Sequence, residues 1–174
     1  MPRVQIQPLA RYAFSIDLKV RVTDLNYGGH LGNDRLLALV HEARVAFLAR
    51  YGWSEMDCAG VSLIMGDAVV LYQAQAYAGD LLRFEVAMGE PSRCGFRLFY
   101  RVTRARDGAP VALVETGMVC FDYAANKVRA LPLAIKNMCD ATGKANGERV
   151  QMAPVSTRAQ SMRGKDLECG DPPD

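Results

Sequence analysis

Residues 14–51 read FSIDLKVRVTDLNYGGHLGNDRLLALVHEARVAFLARY, and this stretch decides the fold. Over its first nine residues Phe14, Ile16, Leu18, Val20 and Val22 alternate with Ser15, Asp17, Lys19 and Arg21. A period of two predicts a half-buried antiparallel strand. Residues 24–34, DLNYGGHLGND, hold three glycines, two aspartates and two asparagines. That composition ends the strand and makes a loop whose backbone N–H groups can approach a ligand closely. A helix is expected over 34–51, with Asn33 or Asp34 as its N-cap. Ten of the thirteen residues 36–48 are apolar, so the helix is expected to be covered on most sides.

Outward from this core, strands are expected at 61–75, 81–89, 93–104 and 111–123. Their separators are short: Ala78-Gly79-Asp80, Glu90-Pro91-Ser92 and Arg106-Asp107-Gly108-Ala109. Short connections join antiparallel neighbours. A single apolar helix among such strands implies an α+β fold, a curled antiparallel β-sheet wrapped around one long central α-helix. A sheet of this kind keeps open edges, which proteins manage by pairing, so a homo-oligomer, dimer or tetramer, is expected. No aromatic residue follows Tyr123, and the chain from 139 onward is polar and rich in Gly, Pro and Ala. The expected division is a domain over 1–138 and a largely disordered tail over 139–174.

Composition narrows the function classes. The chain has 174 residues, 50% hydrophobic and 23% charged, as in an ordinary single globular domain. A net charge of +2 provides no field for nucleic acid or an anionic membrane. No apolar run approaches the ~20 residues that span a bilayer. The opening MPRVQIQPLARYAF carries no secretory hydrophobic segment, and a cytoplasmic location is expected. Five cysteines and two histidines, with no CxxC pair, suggest no metal site and reduced thiols.

The segment VRVTDLNYGGHLGND (20–34), the helix segment EARVAFL (42–48) and Tyr77-Ala78-Gly79-Asp80 together resemble the hotdog-fold thioesterases. The likeness is to the branch of acyl-CoA and acyl-carrier-protein thioesterases that includes 4-hydroxybenzoyl-CoA thioesterase. The resemblance implies hydrolysis of an acyl thioester, carried by CoA or by an acyl-carrier protein, to free acid and thiol. No cofactor is implied, since CoA or phosphopantetheine is part of the substrate. It also implies that backbone N–H groups near the helix start hold the thioester carbonyl, which agrees with the positive end of a helix dipole.

The same resemblance assigns candidate residues. Asn26, His30 and Asp24 fall at the catalytic positions, and Tyr27, Gly28, Gly29, Leu31, Asn33 and Gln75 at substrate-binding ones. The family usually has a carboxylate where this chain has Asn26, and its plant-type branch has a Glu where this chain has Gln75. An amide is not a base at neutral pH. A non-hydrolytic acyl-CoA-binding protein is therefore the alternative reading. His30 is read as a base, a water orienter, a carbonyl contact or a loop hydrogen-bonding residue. Asp24 is read as a turn cap or as the surviving acid. Arg97 and Arg101 share one strand face, two pleats apart, and could receive the phosphates of CoA as planar bidentate donors. Glu42 and Arg44 are read as members of structural ion pairs, and His41 as a packing or interface residue.

Overall fold

The alternation at the start of the chain builds β1 (Phe14–Lys19), whose Phe14, Ile16 and Leu18 turn toward the core. In this computed structural model, which describes residues 4–146, the strand ends three residues earlier than expected. A 3-10 turn over Val22–Asp24 replaces its end and leaves Val22 exposed. The physical reason is Asp24, whose carboxylate accepts from the Arg21 backbone N–H (2.8 Å) and from the Arg21 guanidinium (3.1 Å). These bonds turn the chain away from the strand path.

α1 (Asn33–Ala49) buries Leu36, Leu39, Val40, Ala43, Phe47 and Leu48. It lies in the concave face of one antiparallel sheet with strand order β1-β3-β4-β5-β2, formed with β2 (Ser62–Tyr72), β3 (Leu81–Gly89), β4 (Gly95–Arg104) and β5 (Pro110–Asp122). A two-residue β6 (Lys127–Val128) adds to the end of β5. Alternate residues of β3 and β4 face the helix: Leu82, Phe84, Val86 and Met88, then Phe96, Leu98, Tyr100 and Val102. Phe47 anchors the far end of α1, edge-on to Phe14 (5.9 Å between centroids) and Tyr51 (5.4 Å). The opposite face of the sheet is partly covered by the N-terminal segment, where Leu9 and Tyr12 pack with Ala87 and Phe99.

Three expectations are corrected. The helix N-cap is Gly32, which offers no side-chain cap, and Asn33 is already helical. Arg44, buried on α1, is in a structural ion pair as read from the sequence, with Glu55 (2.6 Å). His41 joins the same carboxylate at 2.8 Å. β2 stops at Tyr72, short of Gln75.

The third correction is a second helix, α2 (Leu133–Asn146), whose central part crosses the boundary drawn at residue 139. It buries only Ile135 and Cys139, one turn apart, so its core-facing pattern is short. It is held by packing on β3 and by Asn146. The Asn146 side chain accepts from the Arg11 N–H (2.7 Å) and donates to the Arg11 carbonyl (3.2 Å). The remainder of the expected tail lies outside the described residues. No described helix is long and apolar enough to cross a membrane.

Candidate active site

The loop before α1 and the segment after β2 meet because the Leu31 N–H donates to the Ala76 carbonyl (2.8 Å). Beneath that contact lies a pocket of about 250 Å³. Leu31, Leu36, Ala76 and Val111 form its apolar wall, and His30, Asn33, Tyr72 and Gln75 its polar rim. The β2–β5 register, with Tyr72 opposite Ala112, brings Val111 to this end of the sheet. Of the residues singled out in the sequence, His30, Leu31, Asn33 and Gln75 line this pocket.

The loop itself is tightly bonded. Asn26 and His30 pair backbone to backbone (Asn26 N–H to His30 carbonyl, 2.9 Å), and Gly29 closes the turn with φ 74°. Only a residue without Cβ adopts that conformation freely. The Gly28 N–H donates to Asn26 Oδ1 (2.8 Å), while Asn26 Nδ2 lies 3.3 Å from His30 Nδ1. Gly28 packs so closely that a Cβ there would sit 2.9 Å from His30 Nε2.

At the helix start, the Gly32 N–H is taken by the Asp24 carbonyl (2.9 Å), but no side chain caps the first turn of α1. Open N–H groups at a helix N-terminus carry a partial positive charge and suit an oxyanion. Across the rim, the Tyr77 hydroxyl donates to Gln75 Oε1 (2.7 Å), and an Arg104 guanidinium nitrogen donates to the Gln75 carbonyl (3.0 Å). The Tyr72 hydroxyl donates to the Asn33 carbonyl (3.1 Å), and burial, with help from Asp34, pushes its pKa up.

Other candidates stand elsewhere. Asp24 is buried just behind the loop, with its carboxylate bonded to Arg21, and that pairing holds its pKa below the usual range. Tyr27 is fully exposed on the turn, and Gly28 and Gly29 are exposed beside it, outside the pocket wall. Arg97 and Arg101 stand apart from this pocket: they alternate with the core-facing residues of β4 and so project from the opposite face of the sheet. Arg97 pairs with Asp67 (2.8 Å). Arg101 grips Glu85 with two bonds (2.6 and 2.7 Å) and lies over the Tyr12 ring. Among the described residues no group of three His, Cys, Asp or Glu side chains is placed to hold a metal ion.

A family model described as the thioesterase-like superfamily matches residues 20–141. The chain belongs to the thioesterase-like superfamily. Among superfamily relatives, the 1,4-dihydroxy-2-naphthoyl-CoA hydrolase of Synechococcus elongatus is 28% identical over 127 residues, 71% of this chain and 92% of that protein. The crystal structure of a 1,4-dihydroxy-2-naphthoyl-CoA thioesterase from Synechocystis matches with a TM-score of 0.65 at 22% identity, covering 73% of this chain and 95% of that one. A hypothetical protein from Thermus thermophilus matches with a TM-score of 0.64 at 22% identity, covering 74% and 98%. The fold is thus the hotdog fold. Of the residues in and around this superfamily member's pocket, Tyr72, Arg104 and Val111 carry no local motif. They reach it through strand pairing, which the sequence alone does not show.

Proposed function

We propose that this protein hydrolyses an acyl-CoA thioester to the free acid and CoA. The carrying observation is the convergence of His30, Asn33 and Gln75 with the uncapped start of α1 over an apolar pocket. In the proposed reaction the acyl group occupies the apolar wall and the thioester carbonyl faces the rim. Water adds to the carbonyl carbon, the C–S bond breaks, and the departing thiolate takes up the proton that the water gives away. Donors aimed at the developing oxyanion are worth ~10²–10³ in rate each. The name of the Synechococcus relative supports CoA as the carrier and an aromatic acyl group as the first to test. An acyl-carrier protein presents the same thioester and is a second arm of that test.

The proposal includes a homo-oligomer paired through β2. This strand is bonded to β5 alone and exposes Met65, Gly66, Asp67, Ala68 and Tyr72 along its length. An open edge of this kind is a template for a second copy. A cytoplasmic setting belongs to the same reading, supported by the free cysteines Cys58, Cys94, Cys120 and Cys139.

Thiol release from aromatic, short and long acyl-CoAs, and from an acyl-carrier protein, tests the reaction. Turnover that falls by ~10²-fold in His30→Ala, with unchanged melting temperature, is the expected result. No release from any thioester by the pure folded protein overturns it and leaves a binding protein. Light scattering tests the assembly, with a mass above that of the 19.1 kDa chain expected.

A further inference from the structure

The hydrogen bonds around His30 leave little freedom over where its proton sits. Asn26 carries one acceptor and one donor group on its amide. The Gly28 backbone N–H, 2.8 Å away, can only donate, so it fixes Asn26 Oδ1 on its own side. The Asn26 amide nitrogen then faces His30 Nδ1 at 3.3 Å as a donor. Turning the amide over would set two donors against each other at Gly28 and lose the shorter bond. A nitrogen that accepts a hydrogen bond carries no proton, so the neutral ring holds its hydrogen on Nε2. Among the described residues Nε2 has no hydrogen-bond partner, and the residue lines the pocket.

We propose that Asn26 locks His30 as an Nε2–H donor, so that His30 polarises the thioester carbonyl and does not draw a proton from water. The role rests on the hydrolytic reading above; the locked tautomer does not. Asn26 is then a positioning residue, and the loop is built to stabilise negative charge. Gln75 on the rim is also hydrogen-bonded. The Tyr77 hydroxyl holds its side chain through Oε1, but a hydroxyl can also accept, so the lock is confined to Asn26. A carboxylate in place of Asn26 would reverse the assignment. One oxygen would keep the Gly28 bond and the other would attract a proton to Nδ1, baring the Nε2 lone pair. The other ionisable groups near the ring are Tyr72 on the rim, Asp24 with Arg21 behind the loop, and Asp34 with Arg35 on the first turn of α1.

The chain has only two histidines, so nitrogen NMR of the ¹⁵N-labelled full-length protein reads the tautomer directly, with His41→Asn assigning the signals. The expected pattern for neutral His30 is a protonated Nε2 and a bare Nδ1, inverting in Asn26→Asp while His41 stays unchanged. A wild-type Nδ1–H ring, or no inversion in Asn26→Asp, overturns the lock. This readout needs no turnover, so it stands apart from failure of the hydrolytic reading.

Where thiol release is measured, His30→Gln separates the roles, because an amide donates but is not a base. At least ~10-fold higher kcat/KM in His30→Gln than in His30→Ala is expected. Equal loss in both overturns the donor role. A base would also lose activity once protonated, giving the pH profile an acid limb. The wild type is expected to lack that acid limb and Asn26→Asp to gain it. An acid limb in the wild type that His30→Gln abolishes overturns the donor role as well.

Discussion

The Tyr77 hydroxyl lies 2.7 Å from Gln75 Oε1 and holds the Gln75 side chain at the pocket rim. Tyr77 is half exposed and does not line the pocket, so removing its hydroxyl leaves the cavity unchanged. One lost hydrogen bond of ordinary strength, about 1 kcal/mol, frees the Gln75 side chain to rotate. Tyr77→Phe is therefore expected to lower kcat/KM for an acyl-CoA by ~5-fold with no shift in melting temperature. An unchanged kcat/KM would mean that Gln75 does not meet the substrate.

Arg97 and Arg101 should not matter for substrate binding. Both project from the face of the sheet opposite α1, and both are neutralised by carboxylates: Arg101 by Glu85 on adjacent β3, Arg97 by Asp67 on β2, two strands away across Gly117. Arg97→Ala and Arg101→Ala are expected to leave KM for an acyl-CoA within twofold of the wild type. Arg101→Ala should cost about 1 kcal/mol of stability, from a partly exposed ion pair and a ring contact, both screened by solvent. Steady-state kinetics and urea unfolding check the two halves. A tenfold rise in KM for either variant would return the arginines to the binding site.

Gly95 opens β4 where the sheet leaves no room for a side chain. A Cβ at this position would collide with the Met118 carbonyl, a backbone atom of the adjacent strand that cannot swing aside. Gly95→Ala must push β4 and β5 apart at one end of the core. A loss of ~3 kcal/mol is expected, read as a lower urea midpoint with an unchanged slope.

What could be read in advance follows from where each signal resides. α1 was legible because its apolar residues are dense and a glycine-rich loop abuts its start, so His30, Leu31 and Asn33 had to lie near one another. The sheet was legible because Phe96, Leu98, Tyr100 and Val102 keep a strict alternation. That same alternation placed Arg97 and Arg101 on one face but not on a particular face. Which side was wet, and that Asp67 and Glu85 would stand beside them, depended on strand register. α2 escaped notice because two buried residues in one turn make too weak a pattern. Tyr72 and Val111 reached the pocket only through the pairing of β2 with β5. The missing side-chain cap on α1 was hidden by Asn33 and Asp34, both good cap formers by type, standing one and two residues beyond the Gly32 cap.

Asp24 ties the stability of the loop to pH. Its carboxylate is buried, bonded to the Arg21 guanidinium and backbone N–H, and its pKa is lowered in the folded chain chiefly by that guanidinium. A carboxylate whose folded pKa is depressed stabilises the fold above its unfolded pKa of ~3.9, and that contribution is lost as pH falls through the folded value. Asp24→Asn keeps the shape but replaces charge-assisted bonds with weaker ones and sets an amide donor against Arg21. At neutral pH a cost of about 2 kcal/mol is expected, a drop of ~4–8 °C in Tm. Melting curves of both proteins should differ by this amount from pH 7 down to ~4, then converge as acidification protonates Asp24 in the native state too. A gap that persists undiminished at pH ~2 would assign the loss to packing and remove the ion pair from the account.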